Sequence, residues 1–449
     1  MTAPARTAAY HAVRAIASGR LDLPAALHAS RAHLSDERDR SLAAEIVNGT
    51  LRWQRSLDYL IEQFSRRPTA KLDEEVVAIL RLSLYQLLHL TRVPASAIVD
   101  DAVDLTRAAR KPSASGFVNA ILRTTLRQRH KLPLPARPAD LSNRDAALAY
   151  LGVTHSHPDW LVARWLDRYG FEAVERWVRF NNETPPLTLR ANRLRATREE
   201  AMATLAQDDI DAEPTRYAQD GLVVTRGNPL RRPQDGLVFV QDEASQLVAA
   251  VVGASSGERI LDLCASPGGK TLAMAADMSD VGTIVACDVR PKRVALLRET
   301  IKTAATRSVS LVRVPPTGSL PFGAIFDAVL VDAPCSGLGT VRRDPDIRWR
   351  RHERDLQALG SDQLQLLLRA AEAVRPGGRL VYATCSSEPE ENDQVVANFA
   401  MRRVDFRVED LHSHGNPLIA PFIDSKGFFR TTPPAHGLEA FFAALLTRS

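Results

Sequence analysis

The sequence predicts a multidomain protein in three parts: an all-α N-terminal domain, a small α+β connector and an α/β, Rossmann-like C-terminal domain. Three observations support this fold class. The length of 449 residues is enough for about three domains. Apolar residues recur at three- and four-residue spacing over the first 125 residues, and short apolar runs alternate with helical segments from about residue 237. We place the domains at residues 1–131, 140–236 and 237–449.

The N-terminal part is expected to be helical. Its clearest helix carries a series of apolar residues at helical spacing: Val76, Ile79, Leu80, Leu82, Leu84, Leu87 and Leu88. The three prolines in Leu132–Pro138 break this pattern and indicate a linker. The connector that follows combines a helix at Trp160–Phe180 with short strands at Leu187–Ala191 and Leu222–Thr225.

Charge is distributed unevenly along the chain. Residues 1–140 hold 21 basic and 14 acidic residues, whereas the other 309 residues hold 37 and 39. Between Leu105 and Ala139 there are eight basic residues and no acidic one. Such a stretch is typical of a protein that binds a polyanion such as nucleic acid, although a solvated helix face explains the composition equally well.

The C-terminal part alternates strands and helices, which is typical of a doubly wound sheet. The predicted strands are Arg259–Leu263, Thr283–Ala286, Val309–Val312, Ala328–Val331 and Arg379–Ala383. Ligands of such sheets bind at the carboxyl ends of the strands, near the topological switch point. We therefore expect the functional residues in the loops that follow these strands.

A glycine loop, Leu261-Asp-Leu-Cys264-Ala-Ser-Pro-Gly268-Gly269-Lys270-Thr271, follows the first of these strands. A phosphate-binding loop would need a glycine where Cys264 stands, and the dinucleotide pattern GxGxxG is absent. S-adenosyl-L-methionine fits better, because Asp288 ends the next strand and can bind ribose hydroxyls. The alternative is a plain strand–helix turn in which Asp288 caps a helix.

Two of the four cysteines directly follow predicted strands. Asp332-Ala-Pro-Cys335-Ser ends the fourth strand and Tyr382-Ala-Thr-Cys385-Ser ends the fifth. Carbon 5 of a pyrimidine is a poor nucleophile, and addition of a thiolate at carbon 6 activates it towards a sulfonium methyl group. Asp332 is a candidate to assist at base nitrogen 3. Buried cysteines are usually packing residues, and we assign that role to Cys264 and Cys287.

The cysteines form neither a CxxC pair nor a Cys/His cluster, so we expect no metal site and no disulfide framework. Reduced thiols are typical of a cytoplasmic protein. No apolar run approaches the roughly 20 residues of a membrane helix, and we therefore expect no membrane association.

The segments LDLCASPGGKT, DAPCSGLGT and YATCS with Pro389-Glu-Glu-Asn392 resemble the RNA cytosine-5 methyltransferases, a class I methyltransferase family. Gln241-Asp-Glu-Ala-Ser245 resembles the motif that precedes their first strand. The resemblance implies that Cys385 is the nucleophile, that Cys335 assists product release and that Asp332 acts at the same site. The residues that it implies for S-adenosyl-L-methionine binding are Cys264, Ala265, Ser266, Pro267, Gly268, Gly269, Lys270, Asp288, Arg293 and Asp332.

The N-terminal part resembles a NusB-like RNA-binding domain in three segments: Asp36–Asp39, Ala44–Arg52 and Gly116–Arg123. Combined with the C-terminal motifs, it resembles the bacterial 16S ribosomal RNA methyltransferase B family from about residue 5 to the C-terminus. The resemblance implies formation of 5-methylcytosine in 16S rRNA by a cytoplasmic enzyme, which we expect to be a monomer. The target cytosine must be single-stranded or unstacked.

One position departs from the family pattern. The family usually has an aspartate near the adenine after the third strand, where this chain has Pro316. Proline has neither a carboxylate nor an N–H donor, so the adenine must be held in another way.

A second arginine cluster follows the Cys335 loop, and its position there favours an RNA-facing lip. Its members are Arg342, Arg343, Arg348, Arg350, Arg351 and Arg354. Nearby acids partly offset it, and a salt-bridged helix is the alternative interpretation.

Two other functions stay open at this point. The same chemistry on transfer RNA is compatible with the catalytic motifs, although the N-terminal domain disfavours it. A non-catalytic RNA-binding assembly factor would suit the NusB-like segments and Pro316, but it would have no need of both Cys335 and Cys385.

Overall fold

The computed structural model describes residues 2–231 and 235–449. Residues 232–234 of the predicted connector lie outside the described residues. The chain forms two compact units. The N-terminal unit consists of Met1–Thr184 and Val341–Arg351, and the C-terminal unit consists of Pro185–Thr340 and His352–Ser449.

The N-terminal unit is helical. Its helices up to residue 184 are α1 (Pro4–Ala17), α2 (Leu23–Ala32), α3 (Glu37–Arg52), α4 (Gln54–Ser65), α5 (Glu74–His89), α6 (Ala95–Ala108), α7 (Ser115–Gln128), α8 (Arg144–Ala149) and α9 (Asp159–Asn182). A π-helical turn at Tyr150–Thr154 follows α8. The predicted helix at Trp160–Phe180 is α9, but it is broken at Gly170, where φ is +72°.

The core of this unit forms around α5. Ile79, Leu80, Leu82 and Leu84 are fully buried against apolar residues of α1, α3 and α7. The apolar spacing of α5 puts these side chains on more than one face, so the helix is surrounded by its neighbours. Elsewhere side chains fix the helix starts, as where Asp36 accepts a hydrogen bond from the backbone N–H of Arg38.

The C-terminal unit begins with a small antiparallel sheet and one helix. Its elements are β1 (Thr188–Ala191), α10 (Arg198–Gln207), β2 (Asp211–Pro214), β3 (Gly221–Arg226) and β4 (Val238–Val240), and the strand order is β2-β3-β1-β4. Helix α10 starts with a capping box in which Thr197 and Glu200 exchange hydrogen bonds. This element contains the strands predicted for the connector, whereas the helix predicted for it, α9, belongs to the N-terminal unit.

The rest of the C-terminal unit is built around a large mixed sheet. The elements after β4 are α11 (Glu243–Val252), β5 (Arg259–Asp262), α12 (Gly269–Asp277), β6 (Thr283–Asp288), α13 (Pro291–Ala304), β7 (Val309–Arg313), β8 (Phe326–Asp332), α14 (Ile347–Arg350, in the N-terminal unit), α15 (Glu353–Ala371), β9 (Val374–Thr384), α16 (Asp393–Arg402), β10 (Phe406–Val408), β11 (Phe429–Arg430), α17 (Pro433–His436) and β12 (Phe442–Arg448).

The large sheet has the order β10-β12-β9-β8-β5-β6-β7, and β11 pairs with β12. The five strands predicted from the sequence are β5, β6, β7, β8 and β9, which run parallel, and β12 is antiparallel to β9. The order places the switch point between β5 and β8. The loops after β5, β8 and β9 therefore meet at one edge of the sheet.

Both faces of the sheet are covered. Along the strands, alternate residues such as Ile260 and Leu330 pack towards α11 and α12, whereas Leu261 and Val331 pack towards α15. Burial on both faces explains why these strands read as continuous apolar runs in the sequence. Within residues 2–231 and 235–449, no helix combines the length and apolar character needed to span a membrane.

Candidate active site

The glycine loop connects β5 to α12. Gly268 has φ of +109°, a conformation that favours glycine, and a Cβ atom there would lie 3.0 Å from the Leu297 side chain. A Cβ atom on Gly269 would lie 3.0 Å from the Gln241 amide carbon. The positive φ of Gly268 favours glycine, and a Cβ atom on Gly269 would crowd the Gln241 side chain at the edge of a cavity.

This cavity has a volume of about 400 Å³ and lies at the carboxyl ends of β5 and β8. Its lining contains the predicted residues Cys264, Ala265, Ser266, Pro267, Gly269, Lys270 and Asp332. It also contains residues that the sequence reasoning did not assign: Phe239, Val240, Gln241, Asp242, Ser245, Asp262, Thr300 and Phe441. Gly268, Asp288, Arg293 and the two strand-end cysteines lie outside the lining.

Lys270 and Asp332 form an ion pair at the cavity wall. The Lys270 Nζ atom donates to Asp332 Oδ2 at 2.6 Å. Burial alone would lower the pKa of Lys270, but the Asp332 carboxylate outweighs it and the pKa is raised. The lysine therefore stays charged, and it lies 5.6 Å from the centre of the Phe441 ring. The pair supplies both a cation and a carboxylate to the same cavity.

Asp262 is a cavity residue that the sequence reasoning missed. It ends β5, is only 1% exposed, and accepts a hydrogen bond from Thr271 Oγ1 at 2.7 Å. Burial raises the pKa of Asp262 to about 7, and the nearby Asp332 charge acts in the same direction. Its carboxyl group can therefore exchange a proton near neutral pH.

Asp288 and Arg293 lie at the end of the neighbouring strand β6. Asp288 is buried and accepts a hydrogen bond from the backbone N–H of Arg290 at 3.1 Å. The Arg293 guanidinium is 3.9 Å from Asp288 Oδ2. Asp288 thus stabilises the turn before α13 and holds a carboxylate at the carboxyl edge, but it is not the helix cap, because the N-cap position is Arg290 and has no side-chain cap.

The two strand-end thiols are neighbours. Strands β8 and β9 pair in parallel, with Asp332 opposite Ala383, and the sulfur atoms of Cys335 and Cys385 are 3.2 Å apart. The contact with Cys385 and burial together raise the pKa of Cys335 well above the usual range. The Cys335 thiol is therefore protonated at neutral pH and lies within hydrogen-bonding distance of the Cys385 sulfur.

The other two cysteines are poor nucleophiles. Cys287 is fully buried within β6, and burial raises its pKa to about 12. Burial also raises the pKa of the Cys264 thiol, although this residue lines the cavity. A thiol with a raised pKa is protonated at neutral pH and reacts slowly, which agrees with the packing role predicted for both.

Two cavity-side residues come from the small sheet and its connection to α11. Arg190 of β1 is buried, and it donates to Gln241 Oε1 at 2.7 Å and to the backbone oxygen of Gly269 at 3.2 Å. Within the described residues, Gln241 Nε2 and Asp262 Oδ1 are buried atoms without a hydrogen-bond partner. A buried donor and a buried acceptor beside one cavity suit a zwitterionic ligand.

The chain takes a different course where the family aspartate is expected. Pro316 is exposed after β7, and the guanidinium of Arg369 donates to the backbone oxygens of Pro315 at 2.8 Å and Pro316 at 3.3 Å. A side chain from α15 thus fixes this turn, and the position offers no carboxylate.

The two basic segments differ in exposure. In the first, Arg107, Arg110, Arg123, Arg127, Arg129 and Lys131 are exposed on α6, α7 and the residues that follow them. Arg137 instead pairs with Glu172 at 2.8 Å and Glu175 at 3.1 Å. In the second, Arg348 is 0% exposed. The prediction of an RNA-facing lip is therefore wrong for Arg348.

Comparison with known families gives three matches along the chain. A family model described as NusB family matches residues 3–127, and one described as a RsmF/B-like methyltransferase ferredoxin-like domain matches residues 157–231. A third, described as 16S rRNA methyltransferase RsmB/F, matches residues 249–447. With the parallel sheet and glycine loop, these matches define the class: an adenosylmethionine-dependent methyltransferase with a NusB-type domain.

Individual relatives cover nearly the whole chain. The probable ribosomal RNA small subunit methyltransferase B of Bacillus subtilis is 34% identical over 91% of this chain and 90% of its own length. The protein of that name from Pseudomonas putida is 35% identical over 94% and 97%. The chain therefore belongs to the ribosomal RNA small subunit methyltransferase B family.

A solved structure supports the whole-chain fold. The crystal structure of PH0851 superposes with a TM-score of 0.78, at 26% identity, over 99% of each chain. The fold class and the family predicted from the motifs are thus confirmed. S-adenosyl-L-methionine, the predicted cofactor, is the cofactor of this class.

Proposed function

We propose that this protein forms 5-methylcytosine in 16S ribosomal RNA through a covalent bond between Cys385 and carbon 6 of the target base. The observation that carries the proposal is the pair of thiols, 3.2 Å apart, on adjacent strand ends. A binding protein without catalytic activity has no need of such a pair. Membership of the rRNA methyltransferase family supports the rRNA substrate.

The cavity beside the glycine loop is the candidate cofactor site. The unpartnered Gln241 Nε2 and Asp262 Oδ1 atoms and the Lys270–Asp332 pair fit the charged amino-acid end of S-adenosyl-L-methionine. We assign Asp288 and Arg293, at the end of the neighbouring strand β6, to the ribose end. When bound, the cofactor supplies an electrophilic methyl group on a sulfonium sulfur.

The two cysteines would act in different steps, Cys385 in addition to the base and Cys335 in release of the product. In this proposal Cys335 is the donor of the contact between the two sulfur atoms, and Cys385 is the member that reacts as a thiolate. That thiolate adds to carbon 6, and we assign Asp332 to assist at nitrogen 3 of the ring. After methyl transfer, carbon 5 loses its proton to solvent and the bond from carbon 6 to sulfur breaks, which returns the thiolate. Cys335 assists this release.

The RNA would be held by the exposed basic side chains of α6 and α7, which contact phosphates without reading sequence. We retain the division into residues 1–131 for RNA binding, 140–236 as connector and 237–449 for catalysis. The target cytosine is unstacked or single-stranded, because carbon 6 is inaccessible within a stacked helix. The enzyme works as a monomer in this proposal.

Bisulfite sequencing of RNA from a deletion strain tests the proposal. One cytosine of 16S rRNA should lose methylation and regain it with the wild-type protein, but not with Cys385→Ala. The Cys385→Ala protein should still bind S-adenosyl-L-methionine in calorimetry, and Cys335→Ala should accumulate a covalent RNA–protein adduct on denaturing gels. Cys287→Ala is the matched control and should restore methylation. Normal turnover by Cys385→Ala, or loss of methylation in transfer RNA instead, would contradict the proposal.

A further inference from the structure

A buried carboxylate links the two thiol-bearing loops. Glu391 lies in the short 3₁₀ turn Pro389–Glu391 after β9 and is 0% exposed. Its Oε1 atom accepts hydrogen bonds from the backbone N–H of Ser336 at 2.7 Å and from Gln363 Nε2 at 3.0 Å. Its Oε2 atom accepts from the hydroxyls of Ser336 and Ser386, each at 2.5 Å. One side chain therefore receives four hydrogen bonds.

These partners are the residues next to the thiols. Ser336 directly follows Cys335 and Ser386 directly follows Cys385, and their hydroxyl oxygens are 3.2 Å apart. Glu391 thus fixes the loop after β8 and the loop after β9 at adjacent points. The repeated Cys-Ser pair in the sequence has this contact as its structural explanation.

Other contacts hold the carboxylate itself in place. The Tyr382 hydroxyl donates to the backbone oxygen of Glu391 at 2.6 Å and to Gln363 Oε1 at 3.1 Å. Gln363 Nε2 also donates to the backbone oxygen of Pro334, the residue before Cys335, at 3.0 Å. The Cys335 loop is therefore held on both sides of its thiol by one connected network.

If Glu391 only joined the two loops, a carboxylate would be an unfavourable choice of side chain. A buried charge costs stability unless it is fully hydrogen-bonded, and here every donor is an uncharged group. Its chemical advantage is that a carboxylate accepts at both oxygens, whereas an amide must present a donor on one side. The Glu391→Gln side chain keeps the shape, but its NH2 group faces two donors in either orientation. These are the Ser336 and Ser386 hydroxyls at the Oε2 position, or the Ser336 N–H and Gln363 Nε2 at the Oε1 position.

We propose that Glu391 is a positioning residue that fixes Cys335 against Cys385 for the release step. This inference rests on the proposed function. The Glu391 side chain is fully buried beneath the two loops, so this role requires no contact between Glu391 and RNA or cofactor. Its loss should leave binding intact and slow only the second of the two chemical steps: Cys385 still adds to carbon 6, but the adduct is released slowly.

The experiment compares Glu391→Gln with wild-type protein in single-turnover reactions on 16S rRNA. We expect release of the covalent adduct to slow at least tenfold, adduct formation to change less than threefold, and the affinity for S-adenosyl-L-methionine to stay within twofold. KM for RNA should stay near the wild-type value while kcat falls. Glu390→Gln, in the same turn, is the matched control and should behave as wild type.

A second variant guards against misfolding. The double change Ser336→Ala and Ser386→Ala removes the hydroxyl donors and keeps the buried carboxylate, and it should also retain the adduct. Normal release in Glu391→Gln or in the serine variant, or equal slowing of addition and release, would overturn the inference. If the wild-type protein itself forms no adduct at Cys385, the proposed function fails instead, so the two failures are distinguishable.

Discussion

Two arginine-rich regions of the N-terminal unit look alike in sequence and differ in structure. Within residues 107–131, on α6, α7 and the residues that follow, the arginines and Lys131 are exposed, and only Lys111 is half-buried. The segment Val341–Arg351 comes from a distant part of the chain but belongs to the same unit, and it buries Arg348. The density of basic residues in a sequence therefore does not predict whether a particular arginine is exposed to solvent and ligands or buried in the interior.

The buried arginine is held by oxygens of the helical unit. Its guanidinium donates to the backbone oxygens of Ser156 at 2.9 Å and Asn181 at 3.2 Å, and to Asn182 Oδ1 at 3.0 Å. The neighbouring Trp349 donates from Nε1 to the backbone oxygen of Leu51 at 2.6 Å. These oxygens lie within α3 and α9 or, for Ser156, in the turn just before α9, so the segment joins elements that the local sequence leaves separate.

The largest expected effect is the loss of stability caused by Arg348→Met. The change leaves several buried oxygens without a donor, which by analogy with broken buried polar pairs costs about 3–5 kcal/mol in the free energy of unfolding. All five tryptophans, at positions 53, 160, 165, 177 and 349, lie in the N-terminal unit, so urea unfolding followed by tryptophan fluorescence reports on it.

Arg129→Met is the control, because Arg129 belongs to the exposed arginine region of the same unit. It should unfold at the wild-type urea concentration. Equal unfolding curves for Arg348→Met and wild type would contradict the claim that the buried arginine stabilises the N-terminal unit and that the exposed arginines do not.

A second effect concerns pH and the histidines near this segment. Burial lowers the pKa of His155 to about 4, and the Arg179 charge adds to the effect. Burial and the Arg348 charge also lower the pKa of His157 well below the usual range. The unfolded chain takes up a proton near pH 6.5 and the folded chain does not, so stability is complete above that pH and is lost as the pH falls towards 4.

For His155 this linkage amounts to about 2 kcal/mol at pH 5. Tryptophan-monitored unfolding at pH 7.5 and pH 5 should show the loss. His155→Phe keeps an aromatic ring beside Tyr150, 4.9 Å away in the wild type, and should reduce the loss between the two pH values. An unchanged pH dependence in that variant would mean that His155 does not titrate as described.

The strand positions were predictable because burial on both faces produces apolar runs such as the one in β8. The proximity of Cys335 and Cys385 was also predictable, since parallel neighbours end at one edge of the sheet. Glu391 was quoted in a motif, but its role was hidden because its partner Ser336 lies 55 residues away. A serine after each cysteine was the signal that could have indicated a shared acceptor.

Arg190 and Arg348 could not be assigned for the same reason. Their acceptors are mostly backbone oxygens, at Gly269 in one case and Ser156 in the other, and any residue type supplies a backbone oxygen. Sequence reasoning can identify pairs of side chains that bond to each other, but it misses side chains whose hydrogen-bond acceptors are backbone carbonyl groups. The error on Arg348 was of this kind.

A third effect tests the exposed region. Arg123 and Arg127 are four residues apart on α7 and therefore lie on one helix face. Reversing both charges should weaken binding of a 16S rRNA fragment by about tenfold at low salt and reduce the slope of log affinity against log salt. Filter binding at several salt concentrations measures both quantities.

The matched control reverses Arg402 and Arg407, which are exposed on the C-terminal unit. That variant should keep the wild-type affinity and salt slope. If both double variants weaken binding equally, net charge explains the result and the α7 surface has no special role.

The smallest effect is expected at Arg107, which is exposed but paired with Asp104 at 3.0 Å one helical turn away. An exposed pair of this kind contributes less than about 0.5 kcal/mol, so Arg107→Ala should unfold at the wild-type urea concentration. Asp104 already neutralises part of the Arg107 charge. Arg107→Ala should therefore weaken RNA binding by less than about threefold, a much smaller loss than that of the α7 double variant. A loss as large as that of the double variant would show that Arg107 leaves Asp104 to contact RNA, and would move the centre of the RNA surface from α7 to the end of α6.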